Sequence, residues 1–228
     1  MQKGLTGNQL KLFAVIIMTI DHIGHILFPS LLWLRIIGRL AYPVFAYMIA
    51  EGCTHTRSMP KYLATMAGMA VVCQIVVYLV TGSIYQYILV TFTLSIAMIY
   101  ILKKALETQS AIWWLATSAA LGTIWLLTQW LPYQLRGTDF SIDYSFWGVM
   151  VPVLVWLGKT KWQKLLLAAA GLVLIAGDIN SIQMLALCAL PLLALYNGQR
   201  GTWKLKYFFY LYFPAHIVVL EMIAVFTK

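Results

Sequence analysis

A chain of 228 residues that is 62% hydrophobic, only 10% charged and has a mean hydropathy of +0.83 departs from soluble domains, which run nearer half apolar and a quarter charged. That composition excludes an ordinary soluble globule, a disordered chain and a coiled coil, and three cysteines are too few for a disulfide-stapled secreted module. The formal charge of +9 comes from 16 Lys and Arg that lie between hydrophobic runs instead of along one solvated helix face, so it reads as a topology signal and no nucleic-acid partner is expected.

In chain order, apolar stretches occupy 10–28, 31–52, 60–82, 84–102, 111–131, 144–158, 163–177, 180–196 and 207–226, separated by turn signals such as Phe28-Pro29-Ser30, Thr81-Gly82-Ser83 and Tyr196-Asn197-Gly198. The N-terminus, with Lys3 and Lys11 ahead of an apolar run, looks superficially like a signal peptide. Asp21, His22 and His25 interrupt it, however, and no small-residue cleavage site follows promptly, so a retained helix is expected. The predicted fold is all-α: a single polytopic membrane bundle over 1–228 with about nine transmembrane helices, three of them short enough to be re-entrant or to merge. Cys53, Cys73 and Cys188 form no CxxC pair and have no His at zinc-finger spacing, so they read as small packing residues, and no metal is expected.

Basic residues should crowd alternate loops if these spans are drawn correctly. One side receives Lys3, Lys11, Arg57, Lys61, Lys103, Lys104, Lys159, Lys161, Lys164, Arg200, Lys204 and Lys206, and the other only Arg136 and Lys228. The pattern predicts a cytoplasmic N-terminus and an external C-terminus. Trp33, Trp113, Trp114, Trp130, Tyr133 and Trp203 fall near span ends, as an aromatic belt requires.

The informative residues are the charges and imidazoles inside spans: Asp21, His22 and His25 in the first, Arg35 and Arg39 in the second, His216 and Glu221 in the last. A central Asp or Arg costs about 2.5–3.5 kcal/mol on insertion scales, so such groups face the bundle interior, find partners and mark a site or pathway. At a rise of 1.5 Å per residue, His22 lies about 16 Å and His216 about 14 Å from the cytoplasmic surface, at one membrane level. The short turn at Ser30 places Asp21 level with Arg39 and His25 level with Arg35. Asp21 with Arg39 reads either as a buried ion pair clamping two helices or as part of a proton-handling cluster. A clamp needs only two charges, and the histidines make the cluster the better reading. Pro214 loosens the last helix beside His216. At the cytoplasmic end of the second span, Glu51-Gly52-Cys53-Thr54-His55-Thr56-Arg57 and Lys61 supply donors suited to phosphate or form an ordinary basic loop. No P-loop, GxGxxG, HExxH or GxSxG pattern occurs.

Thr19-Ile20-Asp21-His22-Ile23-Gly24, Arg35 through Phe45, Glu51-Gly52 with His55-Thr56-Arg57, Phe92-Thr93-Leu94, Asp143-Tyr144 with Gly148-Val149, Tyr196 through Gly201, and Phe208-Phe209-Tyr210 with Pro214 and His216 occur in an order that resembles the TraX family along nearly the whole chain. Where many relatives carry an Asn before the Phe-Thr-Leu segment, this chain reads Leu89-Val90-Thr91. The family's name-giving member acetylates the N-terminus of conjugative pilin, and the family looks like a compact branch of the transmembrane acyltransferases that use cytoplasmic acetyl-CoA. The wider superfamily sets a basic residue ten residues ahead of an essential first-helix histidine, a relation matched here by Lys11 and His22.

The resemblance thus implies an acetyltransferase of the bacterial inner membrane with acetyl-CoA as donor and a protein N-terminus or other envelope amine or hydroxyl as acceptor. Lys11, Arg35, Glu51, His55, Arg57 and Lys61 form the expected donor site. His22 is the expected general base, with Asp21 or another acceptor orienting its ring and Arg39, Arg35 or His216 stabilising the oxyanion. The alternative is a proton-coupled transporter or flippase, against which stands the lack of an inverted repeat.

Overall fold

The computed structural model describes residues 4–203 and 205–227, giving the backbone alone for 206, 207, 210 and 227. Lys3, Lys204 and Lys228 of the charge pattern therefore lie outside the described residues, as does the side chain of Lys206. The described residues are helical, with two isolated β-bridges, Leu5 with Tyr196 and Gln86 with Ile142. In chain order the helices are α1 (Gly7–Ile26), α2 (Leu32–Gly38), α3 (Ala41–His55), α4 (Met59–Thr81), α5 (Ile88–Thr108), α6 (Ala111–Trp125), α7 (Leu131–Gln134), α8 (Ser145–Leu157), α9 (Lys161–Asp178), α10 (Leu190–Ala194) and α11 (Lys206–Thr227). A π-helical segment, Leu126–Trp130, joins α6 to α7, and a 3-10 segment, Ser181–Ala189, leads into α10.

Grouped through those joints, the helices fall on the nine apolar stretches. Among the described residues, five segments are long and apolar enough to cross a membrane: Gly7–Ile26, Leu32–His55, Met59–Thr81, Ile88–Thr108 and Ala111–Gln134. Shorter apolar helices occupy Ser145–Leu157, Ser181–Ala194 and Leu211–Phe226. The 13 residues of α8 extend about 20 Å, less than the roughly 30 Å hydrocarbon core, so length by itself does not make it a full crossing.

Local chemistry sets the boundaries. Thr6 with Gln9 and Thr160 with Gln163 form capping boxes that start α1 and α9, and Gly82 closes α4 at φ 70°. The second span, expected as one helix over 31–52, breaks between α2 and α3 at Arg39-Leu40. Pro43 supplies the reason: its nitrogen cannot donate to the Arg39 carbonyl, and its ring crowds that same carbonyl. Pro132 acts likewise on Thr128 within the π-helical segment.

The core lies where α3, α5, α8 and α9 pack together, around fully buried Tyr47, Ile96, Val149, Leu172 and Leu193. Helix α1 lies against α2, α3 and α11. Lipid tails are as apolar as leucine, so approach in a bilayer depends on small residues. A Cβ on Gly38 would sit 2.1 Å from Asp21 Oδ1, and one on Gly24 would sit 2.6 Å from Leu34 Cβ. These two glycines allow α1 and α2 to touch. Cys53 and Cys73 are packed inside, and Cys188 is exposed.

Candidate functional site

Two cavities of opposite character penetrate the bundle and share a wall. The acidic cavity, about 640 Å³, is lined by Asp21, His22, His25, Arg35 and Arg39, by Tyr85 and Asp143 from loops, and by Glu221 from α11. The basic cavity, about 530 Å³, has Lys11, Lys61 and Arg200 around it with Glu51, His55 and Tyr196, and Met48, Met66 and Phe92 supply apolar wall. Met18, Phe45, Ile88 and Phe213 line both and form the septum between them.

At this septum the two predicted imidazoles meet. The His22 and His216 rings stand edge to face with centroids 4.8 Å apart. His22 Nδ1 lies 2.8 Å from the Met18 carbonyl and His216 Nδ1 lies 2.9 Å from the Tyr212 carbonyl. A carbonyl only accepts, so each Nδ1 carries a proton, and in the neutral form of each ring the lone pair lies on Nε2. His216 Nε2 is buried with no hydrogen-bond partner among the described residues. Tyr212, a wall of the basic cavity, stacks on the His216 ring at 5.2 Å, and its hydroxyl lies 2.6 Å from Thr19 Oγ1. The sequence of contacts from basic to acidic cavity is therefore Tyr212, His216, His22.

Asp21 serves different partners. Arg39 donates to its Oδ1 at 2.9 Å and Arg35 to its Oδ2 at 3.2 Å, while Arg39 Nε donates to the Arg35 carbonyl at 3.1 Å. The register had set Arg35 level with His25. The break after α2 brings both guanidiniums onto one carboxylate. The acceptor that orients His22 is a backbone carbonyl of its own helix and not Asp21. Arg35, expected with the donor-site residues, lines the acidic cavity, across the septum from the others.

Lys11, Glu51, His55 and Lys61 do come together in the basic cavity. Arg57 is exposed in the turn after α3 and lines neither of these cavities. A strap after α10 completes the basic wall. Leu5 N donates to the Leu195 carbonyl at 2.8 Å, Asn197 N to Leu5 at 3.0 Å, Gly7 N to Gln199 at 2.8 Å and Asn8 N to Arg200 at 2.9 Å. These bonds bind the strap to the start of α1 and set Arg200 near Lys11. Gly198 and Gly201, at φ 77° and 91°, make the turns that this path requires.

Across the bundle, loop residues build the rest of the acidic wall. Tyr85 donates its hydroxyl to Asp143 Oδ1 at 2.8 Å, Thr91 donates to the Asp143 carbonyl at 2.7 Å, and the Tyr42 and Tyr144 rings stack at 4.0 Å. Burial pushes the Asp143 carboxyl up to about 6, although the Tyr85 hydroxyl and the charge of Arg39 pull the other way. Asp139 is held below its ordinary value, first by the Ser83 hydroxyl.

A family profile described as TraX protein matches residues 6–224. The chain belongs to the TraX family. This TraX protein is 28% identical over 240 residues to the probable fimbrial assembly protein FimC, serogroup H1, of Dichelobacter nodosus, covering 93% of each chain. A stretch of 38 residues is 63% identical to an uncharacterized protein of Rickettsia prowazekii (strain Madrid E), 17% of this chain and 15% of that one. No solved structure matches. The matched span of the TraX chain contains both cavities and the septum. It also contains wall residues that charge arithmetic overlooked as site members, Arg200, Asp143 and Tyr144, which stand in the runs that carried the resemblance.

Proposed function

We propose that this TraX protein is an acetyltransferase of the bacterial inner membrane, taking the acetyl group of cytoplasmic acetyl-CoA and delivering it to an amine or hydroxyl that enters the other cavity. The observation that carries the reading is the His22–His216 pair at the septum between a basic and an acidic cavity. The basic cavity suits such a donor in chemistry. Lys11, Lys61, His55 and Arg200 suit its phosphates, and Met48, Met66 and Phe92 suit its chain. When bound, acetyl-CoA would supply an activated acyl group.

The chain's residues do the remainder. His22, its Nδ1–H fixed on Met18, offers the Nε2 lone pair to the acceptor's N–H or O–H proton and then returns that proton to the departing thiolate. His216 stands beside it with an unpartnered Nε2 able to share that proton. Arg39, only 10% exposed at its side chain and braced by Asp21, supplies a cation of fixed position in a region of low dielectric, where charge developing on the acyl oxygen benefits most. The relative's description as a fimbrial assembly protein makes a pilin-type N-terminal amine the first acceptor to test.

The test is incubation of purified protein with labelled acetyl-CoA and envelope extract, followed by mass spectrometry of whatever gains an acetyl group. A product formed by wild type and lost in His22→Ala is the expected result. No acetylated product, or undiminished product from the variant, overturns it. Two cavities meeting at one septum also suit a proton-coupled transporter. That reading requires substrate-coupled proton flux in liposomes with no acetyl transfer.

A further inference from the structure

Glu51 is the discordant charge of the basic cavity. Its side chain is 9% exposed, on α3, facing the space that Lys11, Lys61 and Arg200 surround. A bare carboxylate there would repel an anionic guest and forfeit part of what the three cations provide. Lys164, at the end of the first turn of α9, reaches Glu51 without itself lining the cavity, and its Nζ donates to Glu51 Oε1. The Lys164 side chain is 15% exposed, far from the solvated state of an ordinary loop lysine.

Two features show that this arrangement is built in. Cations in the opening turns of a helix oppose its dipole, so Lys161 and Lys164 are not there for the stability of α9. A preference for basic residues on one membrane side explains their charge but not the burial of Lys164. Lys161 Nζ meanwhile donates to the Tyr196 carbonyl at 3.1 Å, joining α9 to the strap that carries Arg200. The Thr160–Gln163 capping box fixes the first turn from which both lysines project. Glu51 in turn steadies His55, whose Nδ1 lies 2.9 Å from the Glu51 carbonyl and 3.8 Å from Oε2.

We infer that Lys164 is a positioning residue that cancels the Glu51 charge from behind the wall, so that the basic cavity keeps the full positive charge of Lys11, Lys61 and Arg200 and admits a polyanion of the nucleotide-phosphate class. The identity of the guest as an acyl-CoA rests on the function proposed above. The electrostatic role does not.

The experiment measures calorimetric binding of coenzyme A, and separately of inorganic pyrophosphate, to the purified full-length protein in detergent. Lys164→Met should weaken both about tenfold, as an uncompensated buried like charge does. Lys164→Arg should stay within about threefold of wild type because the charge is kept, and the double variant Lys164→Met with Glu51→Gln should bind both probes several-fold more tightly than Lys164→Met alone. A fold-only role for Lys164 predicts the same recovery, so the thermal midpoint of each variant is read beside its affinity, and a binding loss that tracks a fall in midpoint overturns the inference. Undiminished binding by Lys164→Met, a double variant as weak as the single, or a wild type that binds neither probe overturns the inference. Pyrophosphate binding with this charge pattern and no coenzyme A binding overturns the donor reading and leaves Lys164's role standing. If Lys164→Met does not survive purification, the double variant against wild type decides, and a loss of about tenfold in it overturns the inference.

Discussion

His22 and His216 share a local device: each donates Nδ1–H to the carbonyl four residues back in its own helix. The device fixes the tautomer without a carboxylate and frees Asp21 for the two arginines. Replacing the proposed base, His22, should therefore remove chemistry without removing structure. His22→Ala is expected to lower acetyl transfer at least about 100-fold, the lower range for a general base, with insertion and thermal midpoint nearly unchanged. His216→Ala should lose less, because it leaves the His22 lone pair in place. Rates measured with labelled donor on the two variants check the order, and a slower His22 partner variant reverses the assignment of the base. Both histidines were legible in the sequence, since rise per residue sets depth and an imidazole in a hydrophobic run stands out. The partner of Asp21 was legible by half. Register gave Arg39, but the turn at Arg39-Leu40 that swings Arg35 onto the same carboxylate depends on Pro43, whose effect on the helix is not visible in hydropathy.

Among the elements, the α1–α2 contact is the one that places the acidic wall. Gly38 lets the Asp21 side chain pass over α2, and a methyl group there would lie 2.1 Å from its carboxylate. Gly38→Ala is expected to push α1 and α2 apart, loosen the Asp21 pairs and destabilise the protein by about 1–3 kcal/mol, the usual cost of overpacking. Unfolding in mixed micelles measures it, and a stable variant with wild-type transfer would show the two helices to be independent. Gly68, which has no atom within 4 Å of a built Cβ, is the matched control, expected to tolerate alanine with little change. The strap from Tyr196 to Gly201 is the second determining element, because its backbone bonds to the start of α1 carry Arg200 to the basic cavity.

The whole molecule is polarised, with Lys11, Lys61 and Arg200 gathered in one cavity and Asp139, Asp143 and Glu221 in the other. In a background with the exposed Cys188 changed to serine, cysteines at positions 200 and 139 should react with a membrane-impermeant thiol reagent from opposite sides, position 139 from outside intact cells. Labelling of both from one side would contradict the alternating spans. The Asp143 carboxyl, pushed up to about 6 where an unfolded Asp titrates near 3.8, gives a second prediction at this scale. Between those values the folded protein holds a proton that the unfolded chain releases, so this group's contribution to stability falls as pH rises from about 4 to 6. Asp143→Asn should flatten that part of the thermal-midpoint profile, and an unchanged slope would assign it to another group.

The sequence by itself determined the helical segments, the alternation of basic loops, the level shared by His22 and His216, and the family. Each follows from hydropathy, rise per residue or local motif, which need no knowledge of distant neighbours. Only the tertiary structure decided that Arg35 joins Arg39 on Asp21, that Lys164 stands behind Glu51, and that Asp143 and Tyr85 wall the acidic cavity. Those facts depend on which way each helix faces and on loops tens of residues apart meeting at one end. Azimuth and loop placement come from packing of the whole bundle, and a one-dimensional pattern of polar residues fits many such packings equally well.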